Sequence, residues 1–209
     1  MNSRTLRSLG LLLATLAPAA IAVAQDEGHE PLAIGGAAPM ADVKLKSVDG
    51  RSLAIADAAG KKGTLVVFTC NSCPYAKRWE KRIAAIGNAA IRRGIGVIAI
   101  NSNDPERNAE DSFDVMVERA KQLGLRYPYV MDETSDVARA FGATRTPEAY
   151  LFDAQGKLVY HGTIDDNAAD ASAVKQPYLK RAVDALVSGK AVAVAETKAI
   201  GCGIKFRKA

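Results

Sequence analysis

The apolar positions of this chain follow two rhythms, one of period two and one of period near 3.6. "VKLKSVDGRSLAI", residues 43–55, alternates around Asp49-Gly50 and predicts a β-hairpin. "TLVVF", Thr64 to Phe68, is a short β-branched run and predicts a buried strand. From Pro74 the spacing becomes helical. Tyr75, Trp79, Ile83, Ile86 and Ala90 share one face, while Lys77, Arg78, Lys81 and Arg82 point elsewhere and read as a solvated face. "IGVIAIN" (95–101) predicts a second buried strand, Ala109 to Leu123 a helix stopped by Gly124, and "YPYVMD" (127–132) a third strand. Thr134 or Ser135 caps a helix to Phe141, "EAYLFD" and "KLVYHG" form a hairpin over 148–162, and Gln176 to Ser188 is a last amphipathic helix.

Strands alternating with helices predict an α/β fold. Its sheet is central and mixed, largely parallel, with helices on both faces, an N-terminal hairpin and antiparallel late strands at an edge. The expected organisation is a signal segment over 1–24, a flexible lead-in over 25–39, one compact domain over 40–189 and a tail over 190–209. "GIGVIA" (94–99) matches a dinucleotide fingerprint, but such glycines must follow a strand and open a helix. Here they precede the strand and read as a helix stop and a tight turn.

Composition adds limits. Arg4 and Arg7 precede the apolar stretch Leu9 to Ala24, which contains Pro18 and ends in Ala22-Val23-Ala24. That is the pattern of a secretory signal cut before Gln25, and it is short for a membrane span. The expected location is therefore exported, periplasmic or secreted, with no stable membrane insertion after cleavage. The net charge of +5 falls to +3 when the two arginines leave, and the basic residues are mixed with acids, which argues against a nucleic-acid partner. An exported chain with three cysteines is no disulfide-stapled miniprotein, and its odd thiol favours reactive sulfur.

Two of those cysteines stand in "FTCNSCPY" (68–75). Cys70 follows a strand, and Cys73 precedes Pro74, a residue favoured at the first helical position. Cys73 is thus placed at the helix N-terminus, where free N–H groups and the dipole favour a thiolate. Three chemistries compete for the pair. A redox couple fits a C-x-x-C at a strand-to-helix junction. A zinc site needs about four ligands, and the chain adds only Cys202, His29 in the lead-in and His161 alone in a strand. A purely structural bridge closes too short a loop to constrain the unfolded chain much. No metal or cofactor is expected.

With strand, C-x-x-C, helix and the later Thr146-Pro147, the chain resembles the thioredoxin superfamily. It is most similar to the redoxin branch of alkyl hydroperoxide reductase and thiol-specific antioxidant (peroxiredoxin) proteins, in the form of exported peroxiredoxin-like redoxins. "LVVFTCNSCPYAKRWE", "AINSNDPE", "YPYVMDET", "FGATRTPEAYLFDAQGKLVYHGTIDD" and "ETKAIGCGIKF" carry the likeness. It implies a thioredoxin fold and a cis Pro147 across from the cysteines. The Thr146 backbone would then be free to pair with an extended substrate.

The resemblance also bears on register. The family's attacking position falls on Cys73, and its usual partner three residues later falls on Ala76, which has no sulfur. Cys70 becomes the resolving partner. The hydroxyl that peroxiredoxins keep three residues before the attacking cysteine is replaced by Cys70, and their late-strand arginine falls on Pro147, with Arg145 two residues away. The expectation is therefore a thiol–disulfide oxidoreductase acting on protein or small-molecule disulfides and reset by an external thiol reductant. Thr146, Pro147 and Arg145 would position the substrate. Thiol-dependent reduction of peroxides is the alternative, and a copper-handling thiol module comes after it. Cys202, between glycines, has two readings: an additional redox thiol that folds back on the pair or links two chains, or a small apolar residue packed in the tail.

Overall fold

The computed structural model of the protein describes residues 31–208. The expected signal segment, His29 and the first part of the expected lead-in lie outside the described residues. The hairpin is β1 (Leu45–Ser47) and β2 (Ser52–Leu53), turning at Gly50. Then come β3 (Gly63–Phe68), α1 (Pro74–Arg92), β4 (Ile95–Asn101), α2 (Phe113–Leu123), β5 (Tyr129–Met131), α3 (Asp136–Phe141), β6 (Arg145–Thr146), β7 (Glu148–Asp153), β8 (Leu158–Gly162), α4 (Tyr178–Val187) and β9 (Cys202–Gly203).

The strands run in the order β2-β1-β5-β4 and β3-β7-β8. The two groups meet where β3 lies beside β4, tied by Lys62 N–H to Gly94 O and Thr69 N–H to Ile100 O, both 2.9 Å. The parallel run is confined to β3, β4 and β5, and the hairpins flank it antiparallel. The sheet is therefore mixed, with less parallel character than the alternation of elements suggests.

Alternation along the strands divides two cores. Leu65 and Val67 of β3 face Trp79, Ile83, Met116, Leu179 and Val183 from α1, α2 and α4. Val66 and Phe68 face Val137, Ala138 and Phe141 of α3. Phe68, Phe141 and Tyr150 pack edge to face at centroid distances of 5.1, 5.2 and 5.7 Å. Each such buried side chain contributes roughly 1.5–3 kcal/mol by leaving water. This cluster fixes the end of β3, and so the place where the C-x-x-C turn begins.

Four sequence expectations change in the structure. The lead-in is held rather than flexible where it is described: Gly35 N–H bonds Leu158 O, and Gly36 O accepts from Leu158 N–H, both 2.8 Å. The helix expected from Ala109 is broken at Ser112, because Asp111 turns its side chain inward instead of continuing the helical face. Arg82 does not belong to a solvated face, for it pairs with buried Asp165 at 2.5 Å, and Asp165 also accepts from Trp79 Nε1 at 2.8 Å. Gly96 is not in a turn but inside β4, where the backbone of residues 58–60 crosses it. A Cβ on Gly96 would stand 1.8 Å from Ala58 O. Gly96→Ala is therefore expected to destabilise the fold by about 1–3 kcal/mol or more, the usual cost of forced overpacking. Urea denaturation with an unchanged slope checks this, and a wild-type midpoint would contradict it.

Candidate active site

Four short elements converge on Cys73. The chain leaves β3 at Phe68, turns through Asn71-Ser72, and enters α1 with Pro74 at its first position. Cys73 caps that helix in an extended conformation, and its Sγ accepts from Ala76 N–H at 3.5 Å. From the other side comes β6, followed by Pro147 in a cis bond, as the resemblance implies. Thr146 spans both cysteines. Its Oγ1 lies 3.1 Å from Cys70 Sγ, and its carbonyl lies 3.1 Å from Cys73 Sγ. The fourth element is β9. Cys202 pairs with Thr146 and packs against Cys70 and Cys73. All three cysteines are free thiols, the first two buried and Cys202 half-buried.

This crowding divides the thiols sharply. Cys73 is lowered to about 4, chiefly by the Cys70 thiol donating toward it, with further help from the Cys202 thiol and the N–H groups of Ala76 and Cys202. Cys70 is pushed up, first by that same sharing with Cys73 and then by burial. Cys202 is also raised, by burial and then by Cys73. Thr146 Oγ1–H can donate to Cys70, and Cys70 S–H toward Cys73, while the Thr146 carbonyl accepts from Cys73 S–H only when Cys73 is protonated. Of the three sulfurs, Cys73 is the one this geometry favours as an anion.

Two buried carboxylates hold the surroundings, and neither was singled out from the sequence. Asp111 Oδ1 accepts from the N–H of Asn71 at 2.8 Å and of Ser72 at 3.1 Å. Its Oδ2 accepts from Ser72 Oγ at 2.6 Å and Asn103 Nδ2 at 2.9 Å. Tyr129 Oη donates to Asn71 Oδ1 at 3.1 Å. Glu148, just after Pro147, does the same for the opposite loop. Its Oε2 accepts from the N–H of Thr144 and Arg145, and its Oε1 faces His161 Nε2 at 2.6 Å and Tyr150 Oη at 3.1 Å. The break after "NAED" was the available signal for Asp111, since Asn108 caps a short turn there.

The structure thus gathers Cys70, Cys73, Thr146, Pro147 and Cys202. It leaves out Arg145, whose side chain is exposed while Thr146 points at the sulfurs. The backbone edge of Thr146, expected to be free, is occupied by Cys202. His161, alone in the sequence, is the partner of Glu148. Among the described residues no group of three or more His, Cys, Asp or Glu is arranged to hold a metal ion.

The AhpC/TSA family model matches residues 34–161. The chain belongs to this family, a group of redoxin oxidoreductases within the thioredoxin superfamily. The thiol-disulfide oxidoreductase ResA of Geobacillus thermodenitrificans is 28% identical over 127 residues, covering 61% of this chain and 67% of ResA. A second ResA, from Halalkalibacterium halodurans, is 26% identical, and the chain spans 61% of its length. The crystal structure of an uncharacterized conserved protein from Geobacillus kaustophilus matches with a TM-score of 0.79 at 35% identity, over 85% of this chain and 94% of that one.

Asp111→Ala would strand two backbone N–H groups and Asn103 in a buried site. Each orphaned group costs about 1–3 kcal/mol. The expected order of stability is wild type above Asp111→Asn, which keeps one acceptor oxygen, above Asp111→Ala. Urea melts of the reduced proteins read it. Equal midpoints would show that the turn holds itself.

Proposed function

We propose that the chain is an exported thiol–disulfide oxidoreductase working through a Cys70/Cys73 couple. The observation that carries this is the placement of both sulfurs on one residue at the start of α1: Thr146 Oγ1 lies 3.1 Å from Cys70 Sγ and Thr146 O 3.1 Å from Cys73 Sγ, with Ala76 N–H donating to Cys73. The lowered Cys73 beside a raised Cys70 supports it. The Cys73 thiolate attacks one sulfur of a disulfide, forms a mixed disulfide and releases the other sulfur as a thiolate. Cys73 is then uncharged, so the restraint it placed on Cys70 ends. Cys70 loses its proton and attacks Cys73 Sγ, which releases the second substrate thiol and leaves a Cys70–Cys73 disulfide. An external thiol reductant returns two electrons and two protons. Thr146 positions Cys70 through its hydroxyl, and its carbonyl accepts from Cys73 while Cys73 is protonated. The family and the ResA relatives support this class of activity.

Peroxide reduction has less behind it here. The position of the family's hydroxyl holds Cys70, and the side chain of Arg145 is exposed. Export rests on the first 24 residues, with cleavage before Gln25; no described helix is long and apolar enough to cross a membrane. N-terminal sequencing of material recovered outside the cytoplasm is expected to begin at Gln25, and a start at Met1 would count against the signal.

Reduction of insulin or a model disulfide is expected to vanish in Cys73→Ser. In Cys70→Ser it should stall as a mixed disulfide carried on Cys73. Adducts on Cys70 in Cys73→Ser, with activity intact, would reverse the assignment.

The sign of the pH dependence follows from the lowered Cys73. Its thiolate is present above the folded value and is lost as pH falls through it. The rate of Cys73 alkylation should therefore stay level down through neutral pH and fall with a midpoint about 4. Cys70→Ala removes the largest stabilising contact and should move the midpoint upward. A wild-type midpoint near the free-thiol value of about 8.5 would sink the reading.

A further inference from the structure

Neither sulfur of the C-x-x-C pair is open to solvent: Cys73 is 3% exposed and Cys70 5%. The thiol nearest the surface is Cys202, half-buried and carried on the two-residue strand β9. That strand lies antiparallel to β6, with Thr146 opposite Cys202 and Arg145 opposite Gly203. It occupies the edge where an extended substrate would pair, and its side chain packs against Cys70 and Cys73. The placement is enforced from both sides. Upstream, His161 N–H bonds Ala195 O at 2.9 Å and Thr197 N–H bonds His161 O at 3.0 Å. Downstream, Ile204 N–H bonds Thr144 O at 3.0 Å, and Asp104 N–H bonds Lys205 O at 2.7 Å. Gly201 passes so close to Thr146 that a Cβ there would stand 2.2 Å from Thr146 O. The segment is built to bring this one sulfur to Cys73.

We propose that Cys202 is a third redox thiol, through which the buried Cys70–Cys73 disulfide is passed to the surface and reset. This rests on the dithiol reading above and adds the route by which electrons enter. The Cys202 thiolate attacks Cys73 Sγ. The Cys70–Cys73 bond breaks, a Cys73–Cys202 bond forms, and Cys70 leaves as a thiolate that takes up the proton lost by Cys202. No electrons are gained or lost. An external thiolate then attacks Sγ of Cys202, the more accessible sulfur of the new bond. Cys73 leaves as a thiolate, and the reductant remains joined to Cys202. A second reductant thiol removes it, giving a reductant disulfide and free Cys202. Two electrons and two protons have entered. In this second step the direction of attack is sensible chemically, because Cys73, the thiol most stable as an anion, is the leaving group; in the first, attack falls on Cys73 because that is the sulfur Cys202 is placed beside.

A pairing experiment tests this. The reduced wild-type protein and its Cys70→Ser and Cys202→Ser variants are each treated with one equivalent of oxidised glutathione, quenched in acid and capped with N-ethylmaleimide. Disulfide-linked tryptic peptides are then mapped. Cys70 and Cys73 share the peptide 63–77, and Cys202 lies on 199–205. The expected result is a 63–77/199–205 link in a fraction of the wild type, and the same link as the main product of Cys70→Ser. Oxidised Cys202→Ser should be reduced by glutathione roughly tenfold or more slower than wild type, as expected when a positioned thiol is lost. Absence of the cross-link from both wild type and Cys70→Ser, or reduction of Cys202→Ser at the wild-type rate, overturns the role of Cys202. The wild-type map needs no substitution, so a variant that folds poorly does not remove the test. Failure of the underlying dithiol reading looks different: no Cys70–Cys73 bridge forms in wild type or in Cys202→Ser.

Discussion

Placing a negative charge on one buried sulfur, Cys73, is the constraint on which the rest of the site depends. A thiolate at 3% exposure has lost its water and must find donors in the protein. Cys73 finds them in the first turn of α1, in Cys70 and in Cys202. The cost falls on the donors: Cys70 is pushed up first by its sharing with Cys73 and then by burial, and Cys202 first by burial and then by Cys73. This coupling gives the site an order of events without moving parts. While Cys73 is charged, its neighbours are poor nucleophiles. Once Cys73 is in a disulfide the charge is gone, and the component of their shifts that came from it is gone too.

Such a balance requires the donors to stay in hydrogen-bond geometry, and the scaffold is arranged accordingly. Asp111 takes four hydrogen bonds from the C-x-x-C turn and from Asn103, so the turn cannot relax away from Thr146. Glu148 binds two backbone N–H groups of the opposing loop, and it is itself held by Tyr150 and His161. Behind both stands the aromatic cluster of Phe68, Phe141 and Tyr150, which joins the end of β3 to α3 and β7. Asp111 also works against the pair electrostatically, since its charge contributes to raising Cys70. In the proposed cycle that opposition is useful, because it helps keep Cys70 as the proton donor rather than a second anion.

Most of the element order was legible because it depends on local periodicity. The β3 run, the α1 face and the β7–β8 hairpin each advertise themselves within ten or twenty residues. The C-x-x-C at a strand-to-helix junction was legible for the same reason. What stayed hidden depends on partners far apart in sequence. Asp111 looked like one more helical surface residue, and only its 40-residue reach to Asn71 shows otherwise. His161 looked solitary until β8 placed it against Glu148. Arg82 looked solvated until Asp165 met it across 83 residues. Gly96 read as a turn glycine because a missing Cβ under a crossing loop, residues 58–60, leaves no local pattern.

The position of β9 poses a competition that the geometry can resolve. Its ladder with β6 is only two residues long, so an extended substrate could replace it with similar backbone bonds. Displacement would nevertheless lift Cys202 from Cys73, and with it two of the contacts that keep Cys73 ionised. A substrate backbone pairing with Thr146 in the same register would bring its own N–H and sulfur to those places. The incoming disulfide would thus restore the N–H contact that its entry disturbs, while a ligand without an extended backbone would not.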